Sequence, residues 1–183
     1  GNTIQFSESS IAHFLFNDTR MAVLWLVVRV YLGYEWLSAG IGKLLDPGQV
    51  WVGANSGTAL KGFLMGALQK ASGAHPDVSG WYASFIQNFA LAHTTLFSHL
   101  VTYGEILVGV GLIIGFVTGV SAFFGCFMNM NYLLAGTVSV NPIWLIVGFL
   151  LMKAWRTAGW YGADRFVLPI WIERVWPGRC TKK

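Results

Sequence analysis

The sequence predicts an all-α membrane protein, an antiparallel bundle of four transmembrane helices with short amphipathic helices in the first long loop. Three observations predict it. Hydrophobic residues make up 55% of the chain and charged residues only 11%, about half the charged share of a soluble domain. Four apolar stretches qualify, or nearly so, as the run of about twenty residues that crosses a hydrocarbon core roughly 30 Å thick. The turns after the second and third stretches are only a few residues long, so the helices they join must run as antiparallel neighbours. A chain of 183 residues suits one domain, residues 1–183.

A polar, amphipathic lead over residues 4–19 precedes the first span. That span, residues 21–45, ends at the breaker Asp46-Pro47-Gly48. It is too long for the apolar region of a cleavable signal peptide, and none is expected. The second span covers 97–117, the third 120–138, and the fourth 143–160 after Asn141-Pro142. Residues 49–96 are not apolar enough to cross. Within them, residues 58–71 place Leu60, Phe63, Leu64 and Leu68 on one helical face, and 76–91 place Val78, Trp81, Tyr82, Phe85, Ile86 and Phe89 at helical spacing. Both read as interfacial helices, with either a lid over the bundle or plain anchoring as their role. Gly111, Gly115 and Gly119 on the second span, and Ser38 and Gly42 on the first, are small residues at four-residue spacing that let helices approach closely.

Net charge is +4, and Arg165, Arg174, Arg179, Lys182 and Lys183 crowd the tail at 161–183. Such a tail suits anionic lipid rather than nucleic acid. Arg20 flanks the first span, whereas the long segment carries only Lys61 and Lys70, partly offset by Asp77. The charge bias therefore places the protein in the cell membrane as a multi-pass chain, with both termini cytoplasmic and residues 49–96 outside. Cys126 and Cys180 lie far apart in character, one in an apolar run and one in the tail, and no disulfide is expected. No metal site is expected, and His13, His75, His93 and His99 do not form the facing pair a haem requires.

An ionisable group at mid-bilayer is costly unless paired or hydrated. Counting 1.5 Å per residue puts Arg29 roughly 10 Å and Glu35 roughly 20 Å into the first span, and Glu105 about 12 Å into the second from the opposite side. Glu35 and Glu105 are thus expected in one layer. Asn129 and Asn131 lie mid-way along the third span, Lys153 mid-way along the fourth and Arg156 nearer its end. Two readings stand: a structural network that fixes helix rotation, or a polar site for a small anion, a quinone head group or protons. The cheapest arrangement is a charge-assisted Arg29–Glu105 pair between the first two helices, within hydrogen-bond reach.

Ordered blocks run through nearly the whole chain. They begin with R-x3-G-x6-G-x2-K (Arg29, Gly33, Gly40, Lys43) and Asp46-Pro47, then KGFL-x-GAL from Lys61 to Leu68 and HP-x-V-x2-WY from His75 to Tyr82. YGE-x-LVG-x-GL-x2-G follows from Tyr103 to Gly115, then Met128-Asn129, LAGT-x-S-x-NP from Leu134 to Pro142, and a closing A-x2-AG-x2-G-x-DR with Asp164 and Arg165. In these blocks the chain resembles the DoxX/DoxD family of small four-helix membrane proteins, especially the branch named for the small subunit of thiosulfate:quinone oxidoreductase. The usual Gly-Leu-Asp close reads Gly162-Ala163-Asp164 here. The resemblance implies a membrane subunit that passes electrons from thiosulfate to membrane quinone as acceptor, with a second redox subunit on another chain. It implies a cation for the sulfur anion, with Arg29, Lys43 or Arg156 as candidates, and a carboxylate, Glu35 or Glu105, that orients it or accepts a quinol proton. Lys153, Asn129, Asn131 and Asn141 complete the implied binding set. A non-catalytic anchor of a redox complex and a small-solute transporter are the alternatives.

Overall fold

The computed structural model describes residues 9–175, so Arg179, Cys180, Lys182 and Lys183 of the expected tail lie outside it. Among the described residues every regular element is helical. Helix α1, Ser10–Asn17, starts at Ser9, whose hydroxyl accepts the Ala12 N–H at 3.2 Å. Asp18 then accepts the Arg20 N–H at 2.8 Å and pairs with its guanidinium at 2.6 Å. Those bonds hold the Asp18 carboxyl down at about 2. A single 3-10 turn, Thr19–Met21, leads into α2, Ala22–Leu44.

Helix α2 packs along α5, Thr94–Ile114. Arg29, Gly33, Trp36, Gly40 and Lys43 recur at alternating spacings of four and three, as do Thr102, Glu105, Gly109 and Leu112 on α5. Such spacing keeps one seam facing one partner. The glycines set how close the seam is: a Cβ on Gly109 would lie 2.5 Å from the Leu37 nitrogen, and one on Gly40 would lie 2.9 Å from that of Ile106. The expected small-residue face was Ser38 and Gly42. Instead Ser38 is exposed and Gly42 has open space around it, because the seam runs through Gly33 and Gly40.

Gly115, at φ +66°, ends α5, and Val117 turns the chain into α6, Thr118–Leu134. Along α5, Gly111 meets Ser121 of α6, and Gly119 of α6 meets Trp155. Helix α7, Asn141–Lys153, starts with Pro142 in its first turn and packs on α6, where Gly148 admits the Cys126 sulfur. Contacts between α2 and α7 complete the group. Its core holds Phe16, Trp25, Leu32, Trp36, Val108, Leu112, Ala122, Leu151, Ala154 and Ala158.

The expected spans are revised in three places. The run 19–44 agrees with the first expected span, and a continuous helical run Gly80–Ile114 joins the interfacial segment to the second. That join uses α4, Gly80–Phe85, a π-type turn at Ile86–Ala90 and a 3-10 turn at Leu91–His93, a local rewinding within one continuous helical run. These two runs are long and apolar enough to cross a membrane. The third, 17 residues long, reaches about 26 Å. The fourth does not continue to 160: α7 stops at Lys153 after 13 residues, and α8, Trp155–Ala158, follows a break at Ala154. The tail, in turn, begins as helix α9, Asp164–Val175.

Helix α3, Thr58–Gln69, lies within the expected 58–71 helix. Leu60, Leu64, Ala67, Val78, Tyr82, Ile86 and Ala90 build a second core against Ala135 at the end of α6. Lys70 donates to the Gly136 carbonyl at 2.8 Å. The segment between α2 and α5 is therefore seated over one end of the helix group, the loop end. Helices α1, α8 and α9 lie at the other, where the Thr157 hydroxyl donates to the Phe16 carbonyl at 2.9 Å.

Candidate functional site

The loop end of the α2–α5 seam carries a buried carboxylate with two partners. Glu105 accepts the Lys43 ammonium at 2.6 Å and the Tyr132 hydroxyl of α6 at 2.9 Å. Only 2% of Glu105 is exposed, so both bonds act in a medium of low polarity, where charge-assisted contacts are strong. Lys43 also lies over the Trp51 ring, 5.1 Å from its centroid. The loop that carries Trp51 is pinned to α5: its carbonyl accepts the Ser98 hydroxyl at 2.5 Å and the Ser56 hydroxyl at 2.8 Å. Ser56 in turn lies 3.1 Å from Nε2 of His99.

On the other side of Tyr132 is a cavity of about 640 Å³ between α5 and α6, roofed by α3 and α4. Leu100, Tyr103, Leu107, Phe124, Phe127 and Met128 form much of its wall, and Phe63 meets Tyr132 edge-on at 6.3 Å. The polar groups on this wall are few. Beside Tyr132 they include His99, and Tyr82 with Asn131, whose oxygen and main-chain carbonyl accept the Tyr82 hydroxyl at 3.1 Å each. Leu107, Phe124 and Phe127 are more than half exposed, so the apolar wall continues onto the outer surface of the helix pair. A large apolar pocket with a few convergent polar groups suits a small lipid-soluble molecule with one polar end.

The expected Arg29–Glu105 pair does not form. Arg29, 1% exposed, donates to the carbonyls of Leu112 at 2.6 Å, Ile113 at 3.1 Å and Tyr161 at 3.2 Å. Two of these belong to the last turn of α5, whose carbonyls lack helical partners and carry the negative end of its dipole. Asp164 does the complementary work at the start of α6, accepting the N–H groups of Val117 at 2.5 Å and Thr118 at 2.8 Å. The two charges thus lock the α5–α6 turn from both sides. Depth counting failed because the seam register pairs Arg29 with Gly115 and Gly40 with Glu105. Those levels lie eleven residues apart on α2, about 16 Å.

The remaining expected residues divide between the two ends. Glu35 is half-buried, off the seam, and has no hydrogen-bond or ion-pair partner among the described residues; it does not share a layer with Glu105. Asn131 lines the cavity. Asn129 is buried with an unpartnered Oδ1 and is absent from the cavity wall. Asn141 is engaged in the α6–α7 turn, donating to Thr137 at 3.0 Å. Lys153 lies 4.6 Å from the Phe16 ring centroid and Arg156 4.9 Å from that of Trp155, both at the end away from the cavity. Arg29, Lys153 and Arg156 are thus not gathered around Glu105. Sequence reading missed Tyr132, Tyr82 and Asp164, since it ranked ionisable groups within the apolar runs above phenols and above the tail.

Among the described residues no cluster of three or more His, Cys, Asp or Glu is placed to hold a metal ion. The family model described as DoxX matches residues 24–140, a range that includes Lys43, Glu105, Tyr132 and all of the cavity wall. No curated protein and no solved structure matches the chain.

Proposed function

Because the chain belongs to the DoxX family of membrane proteins, we propose that it is the membrane subunit of a thiosulfate:quinone oxidoreductase-like system. Its part is to receive a membrane quinone and help reduce it with electrons drawn from a small sulfur anion. The observation that carries this reading is the apolar cavity of about 640 Å³ that ends at Tyr132, with Glu105 and Lys43 directly behind it. Helix α6, and α7 continued by α8, cross the bilayer with α2 and α5, and the cavity mouth between α5 and α6 faces lipid. A quinone tail then enters along Leu107, Phe124 and Phe127, and the ring meets the phenol.

The balance of the reaction assigns the work. Two thiosulfates couple through one new S–S bond to give tetrathionate and release two electrons. Quinone takes those two electrons and two protons. Tyr132 can turn from Glu105 to donate to a quinone oxygen, and the Lys43–Glu105 pair, open to the loop segment, resupplies the proton. The sulfur anion is handled by the second redox subunit, since Lys43 is paired, Arg29 is enclosed by carbonyls and Arg156 lies at the end away from the cavity. That same engagement of the two cations favours a second reading, a non-catalytic anchor for the redox subunit.

The test is thiosulfate-dependent reduction of a short-chain quinone by the purified protein, with and without its soluble partners. Tyr132→Phe should slow it by about a hundredfold, while Lys182→Ala should leave it unchanged. Absence of turnover with every partner, together with no quinone retained through purification, would leave the anchor reading in its place.

A further inference from the structure

The end of the molecule away from the quinone cavity carries a second concave site. A cleft of about 180 Å³ lies between α8 and α9, lined by Trp155, Arg156, Trp160, Arg165, Leu168 and Ile172, with Asp164 and Pro169 completing the wall. Each arginine rests on a tryptophan. The Arg156 guanidinium carbon lies 4.9 Å from the Trp155 ring centroid, and that of Arg165 lies 5.2 Å from the Trp160 centroid. Both arginines are exposed, and neither has an acidic partner among the described residues. The one carboxylate in the wall, Asp164, points its oxygens to the N–H groups of Val117 and Thr118 and acts electrostatically on Arg29. Its charge is committed inward.

We propose that this cleft binds the head group of an anionic phospholipid. A guanidinium presents a planar fork of donors that matches a phosphate, and stacking on an indole holds that fork in place with less loss of freedom on binding. Tryptophan suits the head-group level of a bilayer, which places both arginines where lipid phosphates lie. The floor of the cleft is apolar at Leu168 and Ile172, and Trp171, next to Ile172 on α9, is exposed. An acyl chain can lie along that surface while the phosphate meets Arg156 and Arg165. A soluble anion would use the charges and leave the apolar floor uncovered, so the phospholipid accounts for both halves of the site. Occupancy would clamp α8 to α9 and support the Arg29–Asp164 lock behind them.

The experiment measures lipid binding to the full chain in neutral detergent by native mass spectrometry and by thermal unfolding. The probes are phosphatidylglycerol, phosphatidylcholine and inorganic phosphate. Phosphatidylglycerol should bind in preference to phosphatidylcholine and raise the unfolding temperature, and phosphate alone should not. Arg156→Gln and Arg165→Gln should each weaken phosphatidylglycerol binding by about fivefold, whereas Arg174→Gln, outside the cleft, should not. Arg156→Lys and Arg165→Lys keep the charge and should retain part of the preference, which separates loss of the site from loss of the fold. Equal binding of both lipids, equal stabilisation by phosphate, or an unchanged preference in the folded Arg156→Gln/Arg165→Gln double variant would overturn the proposal.

Discussion

Lys43 and Glu105 join α2 to α5 by a 2.6 Å ion pair whose two ends differ in access: the Glu105 side chain is 3% exposed and that of Lys43 is 19% exposed. The carboxylate therefore depends on the ammonium and on Tyr132, because water cannot replace either. Removing one member of a buried pair strands the other and costs about 3–5 kcal/mol. Lys43→Met should fall in that range, and the Lys43→Met/Glu105→Gln double variant should be more stable than Lys43→Met alone. Thermal unfolding in detergent reads both. Additive losses would mean that the pair has no energetic coupling.

Arg29 holds the C-terminal carbonyls of α5 and should behave as a structural residue. Hydrogen bonds to a charged group contribute about 1.5–3 kcal/mol each when unmade partners stay buried. Arg29→Gln should lower stability by at least one such bond and leave quinone affinity of the folded fraction unchanged. A loss of affinity with full stability would return Arg29 to the binding set.

The closeness of α2 and α5 predicts opposite outcomes for two glycines. Gly109→Ala sets a Cβ against the Leu37 backbone, which cannot move without separating the helices, at a cost of about 1–3 kcal/mol. Gly62→Ala in α3 meets nothing within 4 Å and should raise stability by about 0.5–1 kcal/mol through helix propensity. If Gly109→Ala proves neutral, the seam is looser than the Leu37 contact implies.

Much of the helical order was legible from apolar runs and breakers, and all of the α2 seam but Trp36 lay in the block Arg29, Gly33, Gly40, Lys43. What spacing along one helix could not supply was the stagger between helices. That stagger separates Arg29 from Glu105 by several turns and gives Glu105 to Lys43. It is set by where Gly109 meets Leu37, a contact between residues 72 positions apart. Tyr132 escaped notice for a related reason. A phenol in an apolar run is unremarkable until the facing helix places a carboxylate 2.9 Å from it. Asp164 read as a tail residue because its partners, Val117 and Thr118, lie across a chain reversal.

Charge bias predicts both termini on the cytoplasmic side and residues 49–96 outside. In a Cys180→Ala background, with Cys126 left in the core, a cysteine at Lys70 should react with an impermeant maleimide added to intact cells. A cysteine at Arg174 should react only after the membrane is opened. The reverse pattern would invert the topology and place the Lys43–Glu105 end inside.

The central claim is that the α5–α6 cavity receives a quinone beside Tyr132, and covalent capture tests it most directly. The purified protein is illuminated with a photoreactive short-chain quinone, digested, and mapped by mass spectrometry, with excess unreactive quinone as competitor. The account predicts competed label on residues of the cavity wall, within 96–108 of α5 and 120–132 of α6, and its reduction in Tyr132→Phe. Label confined to the α8–α9 end, or label that the competitor does not displace, would contradict it.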